Sequence, residues 1–430
     1  MKKFGLLLLI ACLCLSVGCT PGGGVPAETD PAKTGEQTPL QTTGGTEAPE
    51  STQAPTVTTQ ASGQPTPSIA VWNGSVATAF AGGSGTASDP YRIENGEQLA
   101  FLAKQVNAGT TFVGKYLTLT SDIDLGGLAW TPIGNGNRSF EGYFDGGNKT
   151  VSRLCVTSAH RYQSGSEVRG VAGLFGSCRN ATLCNLKLVN ASVTVAKSTS
   201  YDRTYAGALV GRFACSSTAT LKDLQICDAT VSVDQTSTAL YAGGCVGYLD
   251  NEQSGWLEAE RIGCDVTVVG KSNGSSSYLG GAVGYLANKG TAEFTDLASY
   301  AEVKMPHQVG ENYAGAFAAI DNKSGSVKLT GAFSALKLNR EILSSSSYAY
   351  HAYAIVGVAY QSGTSTGSFV CRNLYGCFYP AGATSPICSL YYIPLRLNET
   401  GCQGCATLPA SHGLSPSVWN LTDSDKPVLK

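Results

Sequence analysis

Charge is what this chain has least of. Only 14% of its 430 residues are Asp, Glu, Lys or Arg, against about 25% in ordinary globular domains. The 29 basic and 31 acidic side chains leave a formal net charge of −2. A nucleic-acid partner needs a basic face to meet phosphate, so none is expected. Histidine is rarer still. His160, His307, His351 and His412 are scattered, and none stands in the H-E-x-x-H spacing that sets two imidazoles on one helix face around zinc. No metal and no cofactor are expected. Beyond the first few residues, no run approaches the ~20 apolar residues that a membrane-spanning helix needs.

The N-terminus is different. Lys2 and Lys3 precede the apolar run "FGLLLLIACLCL" at Phe4–Leu15, and "SVGC" ends at Cys19. A basic start, a short apolar core and small residues before the cut make an export signal. Val17 and Gly18 before Cys19 resemble the bacterial lipoprotein signal, although Ser16 stands where that family usually has Leu. The resemblance implies that residues 1–19 end in a diacylated Cys19, and hence a membrane partner reached through lipid. The alternative is an ordinary cleaved signal. Residues 20–70 hold eight of the seventeen prolines and no aromatic residue. Such a stretch buries too little apolar surface to offset the entropy of ordering, so it reads as a solvated tether.

Glycine, by contrast, is abundant at 52 residues, and it is periodic. "VAGLFG" (Val171–Gly176), "YAGALVG" (Tyr205–Gly211), "YAGGCVG" (Tyr241–Gly247), "YLGGAVG" (Tyr278–Gly284) and "YAGAFAA" (Tyr313–Ala319) are copies of one motif, with a frayed "YAIVG" at Tyr353–Gly357. Their last small residues are 35, 36, 37, 35 and 38 apart. Its recurring glycines are Gly173, Gly176, Gly207, Gly211, Gly243, Gly247, Gly280, Gly284 and Gly315. Periods of 20–50 residues mean solenoids, propellers or arrays.

The rest of the unit chooses among these. "ATLCNLKLVNASVTV" (Ala181–Val195) and "ATLKDLQICDATVSV" (Ala219–Val233) alternate apolar and polar residues on both sides of an Asn-Ala or Asp-Ala corner. Alternation is the mark of half-buried strands. With the octet as a third strand, each unit becomes one coil of a parallel β-helix, whose coils stack ~4.8 Å apart. Small octet residues would let neighbouring backbones approach. Asn180, Asn251 and Asn288 each follow their octet's last Gly by four residues, and Asn322 corresponds in a shorter copy. Stacked Asn side chains can bond along a ladder. Cys215 interrupts it in the second copy. At the N-terminal end, "NGEQLAFLAKQVNAG" (Asn95–Gly109) reads as a capping helix, with Asn95 and Gln98 as its capping box, Leu99, Leu102, Ala103 and Val106 on one face, and Gly109 as its stop.

These segments together resemble bacterial exported proteins with GLUG motifs. The residues concerned are "GSGTASDPYRIENGEQLAFLAKQVNAG", "GKYLTLTSDIDLGGLAWTPIG", "FEGYFDGGNKTVSRL", the octets and the closing "SVWNLTDSDKPVLK". The resemblance spans about Gly82 to Lys430 and implies a right-handed parallel β-helix on a cell-surface or secreted protein. The expected organisation is an N-terminal cap with first coils over 71–160, repeats over 161–360 and a Cys-rich C-terminal coil and cap over 361–430.

Candidate chemistry is sparse. "DID" (Asp122–Asp124) and "FDGGN" (Phe144–Asn148) could mark a metal site or a carboxylate pair, but a turn or strand-end role is the simpler reading. Twelve cysteines follow Cys19. Of these, Cys371, Cys377, Cys388, Cys402 and Cys405 crowd the end. "GCQGC" could be half a zinc site or a redox pair. Export permits disulfides, however, and a disulfide or a free buried thiol is the expectation over a metal. The octet tyrosines Tyr205, Tyr241, Tyr278, Tyr313 and Tyr353 can stack, either as a platform for sugar rings or as packing between coils. The acids Asp223, Asp228, Asp265 and Glu302 are spread singly along the coils. The expectation is a membrane-anchored surface β-helix that binds, adheres or displays, its ligand a glycan or a protein, and not an enzyme. The alternatives are a polysaccharide lyase or glycosidase, and a spacer without ligand.

Overall fold

The chain divides into two compact units, Met1–Gln64 and Pro65–Lys430. The computed structural model describes residues 69–198, 201–235, 239–272, 276–305 and 311–340. Past 340 it describes the segments 350–352, 355–360, 368–379, 389–391, 397–400, 403–405, 419–420 and 428–429. The export signal, Cys19 and nearly all of the tether lie outside these residues.

The second unit is a parallel β-solenoid. One sheet runs through the strands Tyr143–Ser152, Thr182–Val189, Thr218–Gln235, Trp256–Ser272, Thr291–Met305, Ser326–Arg340 and Ser368–Tyr379 in sequence order. A second runs through Glu167–Ala172, Arg203–Gly207, Ala239–Gly243, Ser276–Asn288, Glu311–Asn322 and Val356–Tyr360. Within this run neighbours pair in parallel, and each lies about one repeat later in the chain. The alternation explains the core between the sheets. Leu186, Leu188, Val193 and Val195 are buried while Lys187 is exposed, and their register partners Leu224, Ile226, Val231 and Val233 are buried too. Across the Asp228 corner the two segments of the second copy continue as one strand, Thr218–Gln235.

The corners follow from residues that accept a left-handed backbone. Asn190 and Asp228 have φ near 53° and 52°, as the Asn-Ala and Asp-Ala steps suggest. A second left-handed column was not read from the sequence: Asn148, Asn185, Asp223, Arg261, Asp296 and Gly331, with φ between 53° and 63°. Each stands immediately before the paired residues Lys149, Leu186, Leu224, Ile262, Leu297 and Ala332. Asn, Asp and Gly are the residues that enter this region at least cost. Arg261 is the exception, and its guanidinium is tied to Asp223 of the coil before, Nη2 to Oδ2 at 2.8 Å.

The capping helix spans Gly96–Ala108 and buries Leu99, Leu102, Ala103 and Val106. Asn95 Oδ1 accepts from Gln98 N at 3.0 Å. Gln98 Oε1 reaches back to Glu94 N at 2.7 Å, one residue earlier than a standard capping box would place it. Gly109 ends the helix in the left-handed region, with its N–H donating to Gln105 and Val106 carbonyls. "DID" closes the short strand Ile123–Asp124, whereas "FDGGN" lies inside the strand Tyr143–Ser152, at a register shift between Asp145 and Lys149. Asp122 Oδ1 accepts from Thr150 N at 2.7 Å, Asp124 pairs with Arg153, and Asp145 Oδ1 accepts from Gly147 N at 2.8 Å.

The octet differs from a simple third strand. Its first copies break in the middle, as in Arg203–Gly207 then Val210–Cys215, and Ala239–Gly243 then Val246–Asn251. Seven extended residues span about 23 Å, yet the Tyr241 and Tyr248 ring centroids are 5.2 Å apart. The octet is therefore a U-bend, and its two arms nearly touch. A Cβ added at Gly247 would fall 2.6 Å from Ala206 N and O, on the first arm of the preceding coil. One at Gly284 would fall 2.5 Å from Gly247 O and 2.7 Å from Ala242 O. Glycine is needed for this pinch across the bend, and not only for approach along the stack. The fifth copy is one residue shorter between Gly315 and Phe317, so the column of Gly247 and Gly284 continues to Ala318, not Ala319.

Candidate functional site

The octet tyrosines do stack. Tyr205, Tyr241, Tyr278 and Tyr313 are successive register partners. Their ring centroids lie 5.3, 5.0 and 4.9 Å apart, with planes within 30°, 3° and 9° of parallel. The next register partner of Tyr313 is His351, and Tyr353 lies outside the described residues. Across the U-bend stand Tyr248 and Tyr285, stacked 5.4 Å apart and edge-on to the first row. The two rows fill the crease between the arms. Tyr205, Tyr241 and Tyr313 are buried, and Tyr162 of the antiparallel strand His160–Ser164 packs against the Tyr205 end. In the Tyr248 column the preceding coil has Arg212, paired with Asp250. Tyr278, Tyr248 and Tyr285 are half-buried, and the covered rings Tyr205, Tyr241 and Tyr313 serve packing between coils.

That burial has a titration consequence. It pushes the Tyr241 phenol up from 10.0 to about 12, and raises Tyr205, Tyr248 and Tyr285 further still. A folded pKa above the unfolded one means stability that is complete below pH 10 and is lost as pH rises through the folded values. Alkaline titration should therefore show phenolate absorbance from the crease tyrosines only above pH 10, and together with loss of far-UV signal. Ionisation of all tyrosines near pH 10 in a still-folded chain would contradict the packing.

The Asn column turns inward on the next corner. Asn251 Nδ2 donates to Asn288 Oδ1 at 2.7 Å, and Asn288 Nδ2 donates to Asn322 Oδ1 at 2.9 Å. All three are buried. Asn180 stands apart, accepting from Ser216 N and Ser217 N at 2.7 and 3.1 Å, because Cys215 occupies the intervening register position. The Cys215 thiol is buried, which pushes it up to about 11, so it is not a reactive thiolate. Cys155, Cys178, Cys184, Cys215, Cys227, Cys245 and Cys264 are free. Of the C-terminal five, Cys388 and Cys402 lie outside the described residues. The backbone register sets Cys377 directly beside Cys405.

Outside this ladder lies a surface depression of about 390 Å³. It is lined by the glycine column Gly255, Gly290 and Gly325 and by Gln253, Ser254, Trp256, Lys289, Thr291, Ser324, Ser326 and Ser368. Trp256 is 50% exposed, whereas Trp72 and Trp130 are buried. Trp256 shares its column with Thr218, Thr291, Ser326 and Ser368, so a ring replaces a hydroxyl at one coil. Sequence reading passed over it. The available signal was an aromatic residue in a Thr/Ser column, directly after the turn "NEQSG". The loops "AKSTSYDRT", "DQTSTALY" and "KSNGSSSY" have their middle residues outside the described segments.

Acids and cations pair between coils: Lys222 with Glu260 at 2.7 Å, Lys337 with Glu302 at 3.3 Å, and Arg261 with Asp223. Among the described residues, no three His, Cys, Asp or Glu side chains gather to hold a metal, and no helix is long and apolar enough to cross a membrane. His307 and His412 lie outside them.

No family model matches the chain. It is 30% identical over 117 residues to a protein of Evansella cellulosilytica named as a Gly-rich membrane protein, covering 27% of this chain and 13% of that one. It is 33% identical over 132 residues to halomucin of Haloquadratum walsbyi, covering 28% of this chain and 1% of halomucin. The chain thus spans a small part of the curated relatives it matches. Among solved structures it is similar to a Bacteroides ovatus protein named for immunoglobulin A1 protease activity, at 17% identity and a TM-score of 0.44, over 82% of this chain and 95% of that one.

Proposed function

We propose that this chain is an exported, lipid-anchored β-solenoid of the GLUG type that binds or displays at the cell surface. The observation that carries the reading is the half-exposed Trp256 over a hydroxyl-lined depression, on a coil surface built by repetition. Extended repeat surfaces suit extended ligands. A glycosidase would need two carboxylates poised about 5–10 Å apart across one groove. The acids Asp223 and Glu302 are instead bound to cations, and no carboxylate lines the depression. The relative named as a membrane protein is in keeping with a membrane location.

A glycan array, run beside an assay for released reducing sugar, tests this. Retention of a glycan without release is the expected result. Release of sugar would replace the binding reading with the enzymatic one, and silence on glycan and protein arrays alike would leave a spacer. The anchor has its own test. Cys19→Ala should move the protein from the detergent phase to the aqueous phase, because two acyl chains hold stably at about 0.8 kcal/mol per CH₂. Unchanged partitioning would exclude Cys19 as the lipid site.

A further inference from the structure

We infer that the Trp256 depression is a saccharide subsite, and that it selects sugars carrying a carboxylate. This rests on the binding reading and adds a place and a ligand class. The lining includes a column of three glycines, Gly255, Gly290 and Gly325, whose absent Cβ atoms make room for neighbouring backbone carbonyls and for the Asn ladder, so the backbone beside Trp256 is held in close register. Trp256 stands beside it with half its surface in water, an apolar face of the size that covers the C–H side of a pyranose. Hydroxyl and amide groups surround the ring, with Ser326 Oγ and Ser368 Oγ 2.7 Å apart. Each such group is both donor and acceptor, as sugar hydroxyls require.

The lining backbone is held from behind. Asn288 Nδ2 donates to Gly290 O at 3.1 Å and to Ser326 O at 3.3 Å, and Asn322 Nδ2 donates to Ser368 O at 3.2 Å. The ladder that joins the coils thus fixes the depression's backbone, and a prebuilt site loses less entropy on binding. Charge supplies the selectivity. The lining has no Asp or Glu and one cation, Lys289. The six other lysines between 222 and 337 are each within 4.0 Å of a carboxylate. Among the described residues Lys289 has no such partner. A uronate or sialate carboxylate would complete it.

The probes are an oligogalacturonide and sialyllactose, with cellotetraose and lactose as neutral controls, titrated into the purified mature chain. Trp256→Ala should weaken the acidic probes by at least about tenfold, the usual consequence of losing a central aromatic anchor. Trp256→Phe should restore most of that. Lys289→Gln should weaken only the acidic probes, by about two- to fivefold, and the difference should fade in high salt. Both positions are exposed, so the melting midpoint should not move. If the parent binds these probes and Trp256→Ala binds them equally, the site lies elsewhere while the binding reading stands. Equal loss of neutral and acidic probes in Lys289→Gln overturns the charge selection. If the parent binds no acidic probe the subsite falls, and silence on the glycan and protein arrays as well ends the binding reading with it.

Discussion

Gly284→Val should be among the most destabilising single substitutions in the solenoid, costing more than about 3 kcal/mol. Overpacking a core typically costs about 1–3 kcal/mol because side chains can turn aside. Here the added Cβ meets backbone: Gly247 O at 2.5 Å and Ala242 O at 2.7 Å. Gly247 belongs to the stacked octet, and Ala242 to the opposite arm of the bend in the same earlier coil. Relief requires the bend to open, which would separate the Tyr241 and Tyr278 rings from Tyr248 and Tyr285. Ser276→Val is the control. Ser276 begins the same strand and is half-buried, with Ala239 and Glu311 as register partners, so added apolar bulk there should cost within about 0.5 kcal/mol. Denaturant midpoints of the two purified variants decide it, and coincident midpoints would show that the arms do not meet. The chain contains its own comparison. Ala318 occupies the same column one coil later, where the octet is shorter by one residue and its register shifts.

The coil period was legible because stacking forces it. Residues that share a column must satisfy the same geometry, and small residues spaced 35–38 apart record that requirement. The alternating strands and the capping helix were legible for the same local reasons. The U-bend was not. A run such as "YAGGCVGY" is apolar throughout, and nothing in an apolar run separates a straight buried strand from one folded on itself. The clue lay in two glycines flanking the centre, Gly243 and Gly247, where one would serve a flat stack. Which tyrosine faces were covered was also unreadable. Their burial depends on Tyr248 and Tyr285 crossing the bend and on Tyr162 arriving from a separate hairpin. Trp256 was hidden for the opposite reason: it breaks a hydroxyl column instead of repeating, and a search for repeats passes over exceptions. In a solenoid, columns report the fold and their exceptions mark the places to look for function.

The Asn ladder offers the last expected result, and it runs in two directions. Asn288 lies at its centre, accepting from Asn251 Nδ2 at 2.7 Å and donating to Asn322 Oδ1 at 2.9 Å, with Gly290 O and Ser326 O also served. Asn288→Ala deprives buried acceptors of their donor, at about 1–3 kcal/mol for each left unsatisfied, although Asn251 Nδ2 keeps Thr291 O at 2.9 Å. A loss of about 3 kcal/mol is expected. Asn288→Asp should be worse at neutral pH, since a carboxylate turned toward three acceptors has nothing to donate. Its folded pKa must then lie above the unfolded value of about 3.9. Stability would be greatest below that value and lost as pH rises through the folded pKa, so the Asp variant should recover in acid while the Ala variant does not. Cys215 is the converse case. Asn251 Oδ1 is buried without a donor, and along the ladder's direction that donor would come from position 215. Cys215→Asn should therefore add about 1 kcal/mol, one net hydrogen bond. If Asn288→Ala melts with the parent and Cys215→Asn adds nothing, the coils are held by their apolar faces alone and the ladder is incidental.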